Sequence, residues 1–356
     1  MPDHAGAIAA ARAIDALLRG WPIAIAKGNQ KLVLSAVETR LPESDSAPYQ
    51  SHQMLISAAR AATLKIINQR AAARPDAPVM IETMAPLDNV AAMAIADPAL
   101  DLANPLKGPF TALPLPDTVL AEAAMTLARQ AGLLPAFVVE TGAAVAPLAS
   151  IKASDAEAYG DAGALRIAAR ARLPVAASET GEIVAFRSMA NNEEHVALVV
   201  GERDSSPPVV RLHSECLTGD ALGSLKCDCG PQLHAALEAM SDAQWGVLLY
   251  LRQEGRSIGL INKLRAYQLQ DQGFDTVEAN NRLGFATDAR DFMIAVNMLK
   301  LLHIDKLRLM TNNPDKVARL EQGGITVVER LSLITPDNPY NRRYLDTKRD
   351  RTGHQL

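Results

Sequence analysis

Past about residue 170 the chain alternates between short apolar runs and helical stretches. His195-Val-Ala-Leu-Val-Val-Gly201 and Pro208-Val-Val-Arg-Leu-His213 read as strands, the second delivering its end directly to Cys216. Gly246-Val-Leu-Leu-Tyr-Leu251 reads as a buried strand, and helical periodicity predicts helices over Leu233 to Met240, Leu260 to Gln272 and Asp288 to Leu302. A strand from Lys306 to Met310, a short helix from Pro314 to Glu321 stopped by Gly323-Gly324, and a strand from Thr326 to Val328 follow. The earlier part has a different texture: alanine-rich helical patterns and the proline-punctuated stretch Asn104 to Pro116. The alanine-rich segment Ala153 to Ala171 leads into a boundary, so two domains are expected, residues 1–172 and 173–356, in a mixed α/β (α+β) fold without internal repeats.

Composition agrees with a well-cored globular chain: 48% of the 356 residues are hydrophobic and 21% charged. A formal net charge of −4 excludes a general binder of polyanions, so an anionic substrate needs positive charge placed locally. Asp3, Arg12, Asp15 and Arg19 interrupt the apolar runs of the first thirty residues, and neither a secretory signal nor a membrane span is expected.

All three cysteines lie between Cys216 and Cys229 at the spacing C-x10-C-x-C. Three thiolates fill three corners of a tetrahedron and select Zn²⁺ over harder cations. The fourth corner stays open at this point. His213 or His234 could close it and make the site structural, or water could occupy it, with its pKa lowered to roughly 7. A redox disulfide fits less well, because Cys227 and Cys229 are too close for easy bridging and the count is odd. Thiolates kept for metal in an unexported chain point to the cytoplasm.

Several motifs, in order over roughly residues 180 to 350, resemble GTP cyclohydrolase II. They are Arg211-Leu-His-Ser-Glu-Cys-Leu-Thr-Gly-Asp220, Cys227-Asp-Cys-Gly-Pro-Gln232, Arg252-Gln-Glu-Gly-Arg-Ser-Ile-Gly-Leu260, Tyr267 to Asn280, Leu283 to Phe292 and Thr311-Asn-Asn-Pro-Asp-Lys316. The resemblance implies that GTP loses C8 as formate and its outer phosphates as pyrophosphate, giving 2,5-diamino-6-ribosylamino-4(3H)-pyrimidinone 5′-phosphate, at the first step of riboflavin synthesis. It implies one zinc per subunit on Cys216, Cys227, Cys229 and water, with the activated water attacking C8. It also implies a homodimer, and a nucleoside triphosphate substrate would arrive with Mg²⁺. By motif position, Arg290 attacks or clamps the α-phosphate, Asp288 orients or deprotonates Arg290, and Tyr267 positions the opened base or a water. Without the resemblance, Asp288 and Arg290 read as a helix cap, and Tyr267, at helical spacing from Leu264 and Leu260, as core. Arg211, Leu212, His213, Ser214, Glu215, Gln232, Glu254, Gly255, Arg256, Thr276, Thr311 and Lys316 would contact GTP: Arg256 and Lys316 suit phosphate, Glu254 the donor edge of guanine, and Gly255 close backbone approach.

The first half is fainter. Ala13 to Ala26 and Ala121 to Pro135 resemble 3,4-dihydroxy-2-butanone-4-phosphate synthase. Where that family carries a metal-binding acidic run, however, this chain has Lys27-Gly-Asn-Gln-Lys-Leu-Val-Leu34, and where it has a histidine, Leu120-Ala121. Metal binding and proton abstraction need those groups, so no synthase activity is expected and the domain is left a scaffolding, dimerising or regulatory role. Alternatives for the whole chain are a GTP-binding regulatory protein that kept zinc but lost turnover, and a structural-zinc protein that binds nucleic acid. Tyr267, Asp288 and Arg290 together argue against the first. Acidic charge, no basic aromatic run and no fourth cysteine argue against the second. A milder variant of the enzyme would open the imidazole ring and keep the formyl group.

Overall fold

The computed structural model describes residues 4–40, 51–72, 74–140, 147–159, 165–189, 191, 193–353 and 355. Residues 160–164 of the alanine-rich boundary segment lie outside the described residues. The chain forms two compact units, one of residues 1–160 and 261–287, the other of residues 161–260 and 288–356. No helix among the described residues is long and apolar enough to cross a membrane.

In the first unit the elements run α1 (His4–Leu18), β1 (Ile23–Lys27), β2 (Gln30–Ala36), β3 (Gln53–Ile56), α2 (Ala58–Thr63), β4 (Val79–Thr83), α3 (Asn89–Ala96), β5 (Phe110–Leu113), α4 (Thr118–Gln130), β6 (Ala136–Val139) and β7 (Ala149–Lys152). The seven strands make one sheet, in the order β5-β4-β3-β6-β2-β1-β7. All neighbours are antiparallel except β1 and β7. The alanine-rich texture has a packing reason. Ala10, Ala13, Ile14 and Leu17 on α1, and Leu120, Ala121, Ala124, Leu127 and Ala128 on α4, recur at helical spacing and are buried in one core with Ile23, Ile25 and Leu34 of the sheet.

The second unit begins with β8 (Leu165–Arg172), β9 (Glu182–Ser188), β10 (Glu194–Gly201) and β11 (Val209–Ser214), then α5 (Cys229–Asp242), β12 (Trp245–Leu251) and the short turn α6 (Glu254–Ser257). Helix α7 (Gly259–Asp271) carries the chain into the first unit, where α8 (Thr276–Arg282) also lies. The second unit resumes with α9 (Met293–Leu301), β13 (Lys306–Met310), α10 (Pro314–Gln322), β14 (Thr326–Leu331) and α11 (Arg342–Thr352). Its sheet order is β14-β13-β11-β12-β10-β9-β8, parallel from β14 to β12 and antiparallel beyond.

Strand alternation sorts this sheet's side chains onto two covered faces. Val210, Leu212, Val247, Leu249 and Leu251 are buried in one cluster with Ala295, Leu299 and Leu320, whereas Val209 and Leu248 are buried with Ala236 and Met240 of α5. Burial on both faces explains the nearly unbroken apolar run of β12. Three parallel strands end together at one edge: β11 leads to Cys216, β12 to Glu254 and β13 to Thr311.

Two differences from the sequence reading have physical causes. The segment Leu165–Arg172, which the sequence placed in the first half, is an edge strand paired to β9. Most of its side chains are exposed, so alternating alanine and arginine gave no core signal. The helix expected from Asp288 begins only at Met293. Before it, Asp288 receives the N–H and guanidinium of Arg290, and Asp291 Oδ1 accepts the Met293 N–H at 2.8 Å.

Candidate metal centre and nucleotide site

Strand β11 ends at Ser214, and Cys216 follows as the capping residue of a π-type turn over Leu217–Ala221. Cys227 comes from the loop that returns, and Cys229 opens α5. The three Sγ atoms lie within 4.8 Å of one another, and those of Cys216 and Cys227 are 3.7 Å apart. Gly219 makes that approach possible. A Cβ there would stand 2.8 Å from Cys227 Sγ and 3.0 Å from Cys216 Sγ, while its N–H donates to Cys216 Sγ at 3.3 Å. Hydrogen bonding with Cys216, together with burial, pushes the Cys227 and Cys229 thiols above their usual range. A soft divalent cation is the partner that such a set ionises for.

Neither histidine joins the cluster. His213 Nε2 lies 3.0 Å from Asp220 Oδ1 and its ring stacks on Tyr250, and His234 Nδ1 sits 2.8 Å from the Gly230 carbonyl. Among the described residues the cluster therefore offers three protein ligands, the number that leaves a corner for water or substrate. Asp220 organises the loop: it also accepts the Cys216 N–H at 3.0 Å and the Tyr250 hydroxyl at 2.9 Å. Burial lowers the pKa of His213 despite its contact with Asp220.

A basic group lies at the same sheet edge. Arg290 makes a two-pronged pair with Asp288, Nε to Oδ1 at 2.8 Å and Nη2 to Oδ2 at 2.5 Å, and Nη1 donates to Ser214 Oγ at 3.4 Å. Burial alone would raise the Asp288 carboxyl, but the hydrogen bond and charge of Arg290 outweigh it and hold the group below the usual carboxylate range. Lys316 is buried and donates to the Leu212 carbonyl at 2.8 Å; desolvation, with Arg290 and Arg211 nearby, lowers its pKa strongly. Arg211 donates to Gln232 Oε1 at 2.5 Å, and burial brings its pKa down to about 10, so it stays charged at neutrality.

The remaining sequence candidates divide by unit. Glu254 is bound to backbone, accepting the Leu217 N–H at 2.7 Å and the Gly255 N–H at 3.0 Å. Gly255 and Arg256 both take left-handed backbone angles, φ 62° and 63°. Glu215 pairs with Arg252 at 2.8 Å, and the buried Thr311 hydroxyl accepts the Asn313 N–H at 3.1 Å. Tyr267 and Thr276 belong to the first unit, where Lys263 Nζ stands 5.8 Å from the Tyr267 ring centroid and Gln270 donates to Thr276 Oγ1. Sequence reasoning assigned no role to Gly219, Asp220, Asp228 or Lys348. Asp220 stood inside a quoted motif, and Asp228 between two cysteines; Lys348 gave no local signal.

Soft ligands, a paired Asp and Arg and buried basic side chains at the carboxyl ends of parallel strands are compatible with an enzyme site for a metal ion and an anionic substrate. The family model described as GTP cyclohydrolase II matches residues 166–332. GTP cyclohydrolase-2 of Cronobacter sakazakii is 59% identical over 175 residues, covering 49% of this chain and 89% of that one. The enzymes of the same name from Enterobacter sp. and Klebsiella pneumoniae are 58% and 57% identical over 175 residues, 49% of this chain and 89% and 88% of theirs. The chain belongs to the GTP cyclohydrolase II family. A two-domain 3,4-dihydroxy-2-butanone 4-phosphate synthase structure from A. baumannii covers 90% of this chain and 98% of its own, but at 15% identity and a TM-score of 0.27 it carries no argument about the first half.

Proposed function

We propose that the protein hydrolyses GTP to 2,5-diamino-6-ribosylamino-4(3H)-pyrimidinone 5′-phosphate, formate and pyrophosphate, the first step of riboflavin synthesis. The observation that carries this is the three-thiol cluster standing at the same sheet edge as the Asp288–Arg290 pair. Cys216, Cys227 and Cys229 would hold Zn²⁺, which when bound supplies a water-derived nucleophile at neutral pH for C8. Asp220 fixes the backbone of Cys216, and Gly219 keeps the three sulfurs close.

Asp288, ionised and weakly basic, is suited to orienting the Arg290 guanidinium rather than deprotonating it. Arg290 then meets the α-phosphate as a positioned charge, with Arg211 and Arg256 as further cations for the triphosphate, Lys316 as a buried amine donor and Gln232 holding Arg211. By motif position Tyr267 would position the opened base or a water, and Thr276 would contact GTP. Mg²⁺ accompanying the nucleotide, a homodimer and a cytoplasmic setting belong to the same reading. The first half is read as lacking synthase activity. Lys27 and Gln30 flank a hairpin turn without a carboxylate, and Leu120 and Ala121 are wholly buried core where a catalytic histidine would stand.

Purified protein of measured zinc content, given GTP and Mg²⁺, should release formate and pyrophosphate in equal amounts. Tight GTP binding with neither product would leave a regulatory binder instead. Within the same assay Cys227→Ser should lose metal and formate together, whereas Arg290→Ala should keep the metal and lose pyrophosphate release.

A further inference from the structure

Helix α11 follows the last residue that the family model matches, 332, and reaches the cysteine cluster. Lys348 Nζ donates to Asp228 Oδ1 at 2.6 Å, and Gln232 Nε2 donates to the other carboxylate oxygen at 2.5 Å. Asp228 is 1% exposed and sits between two of the cysteines. Lys348 is 9% exposed, with the Tyr344 ring centroid 4.5 Å from its Nζ.

Lys348 halves an excess of negative charge in this cluster. Three thiolates and the Asp228 carboxylate exceed a divalent cation by two negative charges. Arg211 and Asp220, in electrostatic reach of one another and of the cluster, cancel. Lys348, paired with Asp228 at 2.6 Å, reduces the excess to one. An uncompensated excess in a buried site is costly, and partners outside the ligand set govern metal affinity for that reason.

We propose that Lys348 is a positioning residue of the metal centre, whose buried positive charge lets the Asp228 carboxylate stand beside three thiolates and one divalent ion. This rests on the reading of the cysteines as zinc ligands. The test is zinc affinity, measured by chelator competition on the full-length protein, with circular dichroism of the metal-free form as a folding check. Lys348→Gln should bind zinc about 10- to 100-fold more weakly, and Lys348→Arg should restore most of the loss.

Asp228→Asn separates charge from support. It removes a negative charge and leaves Lys348 facing the thiolates, so zinc should bind at least as tightly as in the wild type. A Lys348→Gln protein with unchanged zinc affinity would overturn the proposal, as would an Asp228→Asn protein that loses zinc as Lys348→Gln does, the mark of a plain strut. If Lys348→Gln does not fold, Asp228→Asn decides alone by the same criterion. Wild-type protein that holds no stoichiometric zinc would sink the underlying reading, and this inference with it.

Discussion

Gly219 shows how little room the sulfur cluster leaves. A methyl group there would meet two Sγ atoms at 2.8 and 3.0 Å, inside van der Waals contact. Gly219→Ala should therefore fold but lose most of its metal by mass spectrometry; stoichiometric metal would show that the loop can give way. A second residue-scale consequence concerns pH. His195 on β10 is wholly buried, accepts the Arg252 N–H on Nδ1 at 3.1 Å, and has its pKa lowered from 6.5 to about 4, chiefly by desolvation. Its folded pKa lies below its unfolded one, so its contribution is intact above pH 6.5 and is lost as pH falls toward 4, on the order of 3 kcal/mol in full. His195→Asn, which keeps an acceptor, should flatten the melting temperature across that window; an unchanged slope would point to another group. The cysteines were legible from composition and spacing alone. Asp220 and Gly219 were not, because a motif gives residue types at positions and says nothing of which atoms they touch.

At the scale of elements, the parallel strands and the helices covering them were readable where burial is two-sided or strongly periodic, as in β11, β12 and α10. Reading failed where solvent meets the chain. Strand β8 is an exposed edge, and the start of α9 yields to side-chain bonds of Asp288 and Asp291. The turn after β12 is the least relaxed of these elements: Gly255, Arg256 and Ser257 all have left-handed backbone, with φ of 62°, 63° and 70°. For residues with a Cβ this costs roughly 1–2 kcal/mol each, part of which glycine returns as unfolded-chain entropy. Ser257→Gly should thus raise stability by about 0.5–1 kcal/mol in urea denaturation. A loss of stability would mean that the side chain's contacts outweigh the strain. Strain of this kind beside residues assigned to GTP fits a site held ready rather than assembled on demand.

For the whole molecule, the family model matches residues 166–332, yet residues 261–287 within that range pack into the first unit. Arg265 on α7 joins Glu38 at 3.0 Å and Asp97 at 2.8 Å, while Asn262 donates to the Gly132 carbonyl and Gln272 to that of Ala99. These pairs span up to 227 positions, which no local pattern could reveal. Arg265→Ala would strand two mostly buried carboxylates, so it should destabilise the first unit by about 3 kcal/mol, read as faster hydrogen exchange in α1 and α4. Exchange as slow as in the wild type would show that the remaining contacts suffice.

The same arrangement sets a timetable for the nascent chain. At synthesis rates of about 5–20 residues per second, the ribosome needs roughly 6–25 s to travel from residue 160 to residue 287. Until then the amino-terminal sheet waits without its last two helices, and Glu38 and Asp97 without their arginine. A gene fragment that stops near residue 160 reproduces that waiting state permanently.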